Sequence, residues 1–98
     1  MSRPAATATV QLETEDVRVT RWDFAPGSET GHHRHGFDYI VVPVTAGALT
    51  AETADGEAVA PLEIGGSYNR SAGVEHNIVN HGSEVVSFVE IELLNRAG

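Results

Sequence analysis

Short apolar runs, cut repeatedly by glycine, proline and aspartate, restrict the fold of this chain more than any other feature. Pro26-Gly27, Thr45-Ala46-Gly47, Asp55-Gly56, Gly65-Gly66, Gly73 and His81-Gly82-Ser83 each interrupt it. Such residues supply the backbone angles that turns require. The runs between them are rich in β-branched residues and too short for helices. They predict strands over residues 17–25, 39–44, 48–53, 57–62, 67–70, 76–80 and 85–94, with a weaker alternation over 9–13. Asp55-Gly56 reads as a two-residue hairpin loop. No segment of useful length carries the 3.6-residue period, so eight or nine strands point to an all-β sandwich or barrel.

Three details qualify this reading. Val17 and Val19 share one parity while Trp22 and Phe24 share the other, which requires a bulge near Thr20-Arg21 or a strand with apolar contacts on both faces. Pro43 removes a ladder donor and belongs at an edge or a bulge. In the last strand Val85, Ser87, Val89, Ile91 and Leu93 form the more apolar set and are the expected interior. Glu90 and Glu92 then face outward.

Ninety-eight residues make one domain. Residues 1–8 are small and polar and are expected to be poorly ordered, leaving residues 9–98 as a single β-barrel domain. A chain of this size buries roughly 65% of its unfolded surface. A second copy covering an apolar face would help it, so a homodimer is expected. Fourteen acids against six arginines give a formal charge of −8, with no lysine. This balance argues against nucleic acid as a partner, and the missing lysine excludes Schiff-base chemistry. Without cysteine there are no disulfides, iron–sulfur clusters or thiolate zinc sites. No apolar stretch resembles a signal peptide or membrane span. A cytoplasmic protein acting on a small molecule, with no membrane partner, is the expectation.

The chemistry concentrates in Gly31-His32-His33-Arg34-His35-Gly36-Phe37-Asp38-Tyr39. Neutral imidazole is the commonest protein metal ligand. His33 and His35, two apart in extended chain, project from one face and make half a metal site. His76 is the candidate for the other half. His32 has the opposite parity, and His81 sits in a turn; both read as solvated. Arg21 and Arg70 are the arginines able to anchor an anion, although most arginines on a small domain are solvated.

From about Gly27 to Asn80 the chain resembles the cupin family. Gly27, five residues, then His33-Arg34-His35 match the first cupin motif. Gly65, five residues, Ser71-Ala72-Gly73, two residues, His76, three residues and Asn80 match the second, with serine replacing a proline. The resemblance implies a double-stranded β-helix, or jelly-roll barrel, with His33, His35 and His76 converging on one divalent metal ion per chain. Iron, manganese, nickel, zinc and copper all suit such a site. The family's glutamate is missing: a three-residue gap puts Tyr39 there, and a four-residue gap puts Ile40. Asp38 would need a bulge at Gly36 to join the histidines, and Glu90 is the other carboxylate to weigh. A three-histidine site is therefore expected, with the Tyr39 phenol as its catalytic or substrate-contacting neighbour. Three-histidine cupins include iron-dependent thiol and β-diketone dioxygenases. The Asp38-Tyr39 ending and the Gly73-x-x-His76-Asn77 context are similar to short cupins associated with β-alanine degradation. The implied activity is oxygenase-like or Lewis-acid chemistry on a small molecule; the alternative is a non-catalytic binding or sensing cupin.

Overall fold

The computed structural model describes residues 2–95; Met1, at the head of the segment expected to be loose, and residues 96–98, at the tail of the barrel segment, lie outside the described residues. Nine strands follow in order: β1 (Thr7–Glu13), β2 (Val17–Phe24), β3 (His33–Arg34), β4 (Tyr39–Pro43), β5 (Gly47–Thr53), β6 (Gly56–Leu62), β7 (Tyr68–Arg70), β8 (Glu75–Val79) and β9 (Val86–Leu93). Among the described residues there is no helix, and hence none long and apolar enough to cross a membrane. The strands form a five-stranded sheet, β1-β2-β9-β4-β7, and a four-stranded sheet, β3-β8-β5-β6. All pairings between named strands are antiparallel.

Between the sheets lies the core of Phe24, Tyr39, Val41, Leu49, Leu62, Val86 and Phe88. The Phe24 and Phe88 rings stack with centroids 5.7 Å apart. Asn80 anchors the end of this core without exposure to solvent. Its Nδ2 donates to the carbonyls of Phe24 (2.9 Å) and Glu84 (2.8 Å), and its Oδ1 accepts from the Gly82 amide (2.9 Å). The last residue of the second motif is thus a clamp between loops, satisfied by backbone as a buried amide must be.

The β2–β9 ladder runs without a break from Val17↔Leu93 to Phe24↔Val86. The parity switch in β2 therefore reflects contacts on both faces; β2 itself carries no bulge, although its neighbour does opposite Thr20. The irregularity falls in β1, between Val10 and Leu12. Pro43 closes β4, beyond the last β7 pairing at Val41↔Tyr68, so its missing N–H interrupts no rung on that side. The β5–β6 hairpin closes at Thr53↔Gly56. Its two-residue loop is Ala54-Asp55 rather than Asp55-Gly56, and Gly56, at φ +116°, opens the returning strand.

The expectation for β9 is reversed. Val86, Phe88 and Glu90 are buried on the inner face, while Val89 and Ile91 are half-buried on the outer one. The outer face also carries Val19, Ile40 and Val42 in register with them, so a strand flanked on both sides looked more apolar on its wrong face. The N-terminal arm differs from its expected looseness as well. Ala6 N–H donates to Glu29 O, and Glu29 N–H donates to Pro4 O. Arg3 reaches Glu29 and both carboxylate oxygens of Glu52 at 3.0–3.1 Å. Backbone pairing and an arginine bridge hold a segment whose composition alone suggests disorder.

Candidate metal centre and its cavity

The histidine run folds into strand only at His33 and Arg34, but the ladder extends past it. His35 N–H donates to Val74 O at 2.9 Å, and Gly73 N–H donates to His35 O at 2.8 Å. His33 sits directly opposite His76 across β3 and β8. The alternation of an extended chain puts His35 on the same inward face while Arg34, between them, is exposed. The three rings converge: His35 Nε2 lies 3.0 Å from His33 Nε2 and 3.0 Å from His76 Nε2. Ring centroids are 4.7–5.0 Å apart, edge to face.

The protonation of this cluster follows from its neighbours. His33 Nδ1 lies 2.9 Å from the Gly31 carbonyl. A carbonyl only accepts, so the proton sits on Nδ1 and Nε2 keeps its lone pair, the arrangement typical of metal-ligating histidines. Gly31 is itself held, its N–H donating to Asn77 Oδ1 at 3.0 Å. Asn77 Nδ2 then donates to Glu29 (2.7 Å) and Glu52 (3.2 Å), the two acids that Arg3 bridges. Burial, and then His33 and His76, push the His35 imidazolium down to about 4. Burial, His33, Arg70 and His32 do the same to His76, also to about 4. Both rings are neutral near pH 7 and offer lone pairs.

Nitrogens this close need a shared partner: His35 and His76 are neutral, and the His33 Nδ1–H is already committed to Gly31. The donor set suits one divalent ion: nitrogens bound at about 2.1 Å lie about 3.0–3.4 Å apart at the angles such ions adopt. Among the described residues no carboxylate or thiol joins this group within 4.8 Å.

Asp38 is directed elsewhere, its Oδ1 accepting from the Ala72 amide at 2.8 Å. Ile40 pairs with Ile91 and Asn69 on the outer face. Tyr39 is buried beside the histidines, its ring stacked on that of His35 with centroids 3.9 Å apart and planes 21° apart. Burial, and then the Glu90 carboxylate, hold the phenol well above its ordinary range. Tyr39 is thus held as a neutral phenol, able to donate a hydrogen bond. His32 is exposed, 3.7 Å from Glu75. His81 lies near Glu52 and Glu57 in an exposed cluster away from the barrel interior.

The histidines form one wall of a cavity of about 80 Å³. The opposite wall comes from the five-stranded sheet and includes Trp22, Glu90, Tyr39 and Arg70. The sequence offers Glu90 as a carboxylate to weigh near the histidines, but the expected parity of β9 puts it on the outer face, where the structure does not. Trp22 and Arg70 had only weak signals: a lone tryptophan and one arginine among six.

No protein-family model matches the chain. It is 55% identical over 91 residues to the β-alanine degradation protein BauB of Pseudomonas aeruginosa, covering 93% of this chain and 96% of that protein. A crystal structure of a cupin domain from Bordetella pertussis superposes with a TM-score of 0.93 at 50% identity, over 99% of each chain. A conserved double-stranded β-helix protein from Klebsiella pneumoniae gives a TM-score of 0.75 at 27% identity, over 100% of this chain and 84% of that one. The chain belongs to the cupin family, among the small cupins that include BauB.

Proposed function

We propose that His33, His35 and His76 hold one divalent metal ion and that a small molecule occupies the adjoining cavity. One observation carries this reading: three imidazole nitrogens approach within 3.0 Å steps while the His33 proton is fixed on the far side of its ring. A bound iron, manganese, nickel, zinc or copper ion would supply Lewis acidity or, for a redox metal, oxygen activation. The chain's own part is to orient the ligand and exclude water. The neutral Tyr39 phenol, seated on the His35 ring, donates a hydrogen bond to an oxygen of that ligand. BauB carries the name of a β-alanine degradation protein; at 55% identity the same metabolic setting, breakdown of a short aliphatic compound, is proposed for this chain.

A second reading, a non-catalytic binding or sensing cupin, is favoured by one feature. Among the described residues no carboxylate joins the histidine cluster, so proton transfer at the metal has no evident agent in contact with it. Turnover of any small carbonyl or thiol compound by metal-loaded protein would exclude it.

We further propose a homodimer through the outer face of the five-stranded sheet, where Val19, Ile91 and Ile40 lie in one row and Val89 and Val42 in the next. All five are only half-buried in the single chain. Sedimentation showing a 10.4 kDa species at micromolar concentration would overturn the dimer. Elemental analysis of protein purified without a tag, beside His76→Ala, tests the metal. About one equivalent in the first and none in the second is expected; equal content in both removes the site.

A further inference from the structure

The cavity wall facing the histidines has an order that register makes explicit. Trp22 is opposite Phe88, and Thr20 is opposite Glu90, so Trp22 and Glu90 are diagonal neighbours on one face. Val41 is opposite Glu90 and Tyr39 opposite Glu92, which makes Tyr39 and Glu90 diagonal neighbours too. Arg70 is directly opposite Tyr39. Trp22, Glu90, Tyr39 and Arg70 therefore form one polar row across β2, β9, β4 and β7.

The two ends of this row are unfinished. The Trp22 indole N–H is buried without a hydrogen-bond partner. It is near enough to Glu90 to favour the carboxylate, but not in hydrogen-bonding geometry. Glu90 is 8% exposed and, among the described residues, has no ion pair. Burial, and then Glu92, raise its carboxyl to about 7, against opposing effects of Trp22 and Arg18. At the other end Arg70, exposed and with Nη1 donating to the Asn69 carbonyl at 3.1 Å, has no carboxylate partner among the described residues; its guanidinium lies 4.5 Å over the Tyr68 ring and borders the cavity. Orphaned buried donors and acids are costly unless something bound completes them.

We propose that the cavity takes a short hydroxy acid, its hydroxyl held between the Trp22 N–H and the Glu90 carboxyl and its carboxylate held by Arg70. A hydroxyl is the smallest group that accepts one hydrogen bond and donates another. An ammonium donates only and would leave the indole N–H unanswered. Size agrees, since about 80 Å³ admits roughly six water-sized groups at about 10–15 Å³ each. The inference rests on reading this cavity as the small-molecule site, but not on a metal being bound.

Calorimetric titration with 3-hydroxypropionate and 4-hydroxybutyrate, each against its parent acid and the corresponding amino acid, tests it. At least one hydroxy acid should bind about tenfold or more tighter than both analogues, as for a hydrogen bond to a charged group. Glu90→Leu and Trp22→Phe, each checked for retained strand structure, should abolish that preference while zinc affinity stays within about twofold. Arg70→Gln should weaken hydroxy acid and parent acid alike. Trp22 is the only tryptophan, so its emission in the wild-type protein should shift on binding. Equal binding of the parent acid, a preference for the amino acid, survival of the preference in both variants, or no binding of either hydroxy acid at millimolar concentration each overturns the proposal. Loss of zinc binding in His76→Ala with the hydroxyl preference intact would support this assignment. Retention of full zinc affinity in that variant would instead overturn the metal site alone.

Discussion

The two walls of the cavity are built on different principles. On the β3–β8 wall each ring nitrogen is placed by something else: a cross-strand partner for His33 and His76, ladder bonds around His35, the Gly31 carbonyl behind His33. The facing wall holds Trp22 and Glu90 on regular strands but, among the described residues, leaves the Trp22 N–H without a hydrogen-bond partner and Glu90 without an ion pair. One wall fixes geometry before any ligand arrives, as preorganised sites do. The other keeps donors and acceptors in reserve at a cost in stability. Substitutions on the first wall should therefore alter ion affinity and leave folding alone, and those on the second should do the reverse.

His76→Ala should give the largest effect. Removing one of three nitrogens is expected to lower zinc or nickel affinity by at least about 100-fold, more than loss of a supporting contact usually costs; calorimetric titration measures it. Glu90→Gln should leave that affinity within about twofold, and a comparable loss there would erase the distinction between the walls.

Glu90→Gln should act on stability. The unfolded chain releases the Glu90 proton near the ordinary carboxyl value, whereas the folded protein keeps it up to about 7. Between these values the folded state binds more protons, so Glu90 costs increasing stability as pH rises through that window, and the cost is constant above it. Glutamine has no such dependence. The variant should match the wild type near pH 4 and exceed it by about 3 kcal/mol at pH 8, read from urea unfolding at both values. An advantage that is the same at both would show that ionisation of Glu90 is not its source.

Asn77→Ala sharpens the picture of the first wall. It frees the Gly31 N–H and loosens the carbonyl that fixes the His33 proton, so ion affinity should fall about tenfold although Asn77 touches no ligand nitrogen. An unchanged affinity would mean that the ladder alone suffices. The smallest effects belong to His32→Ala and His81→Ala, both on the exterior, which should leave ion affinity within about twofold.

Legibility in the sequence divides along the same line. His33, His35 and His76 could be read because motif spacing and parity are one-dimensional properties, and strand alternation converts them into a shared face. The turn residues located most strand boundaries for a similar reason. The inward placement of Glu90 was not legible because parity alone does not say which face is inner. Outer-face Val89 and Ile91, beside Val19, Ile40 and Val42, outweigh inner-face Glu90 and Glu92 in apolar character. Arg70 could be named as a possible anion anchor, but its place in a row with Trp22 and Tyr39 appears only once register is known. Residues 1–8 offered no periodicity, and their attachment through Arg3 and Glu29 depends on partners far along the chain.

That attachment has a practical meaning. From Arg3 a continuous set of contacts runs through Glu29 and Glu52 to Asn77, on to Gly31, and ends at His33 Nδ1. Any change at Arg3 would act on the hydrogen bonding of His33 from the outside of the barrel. Arg3 is thus a remote point from which the histidine cluster can be disturbed without altering any side chain in the cavity.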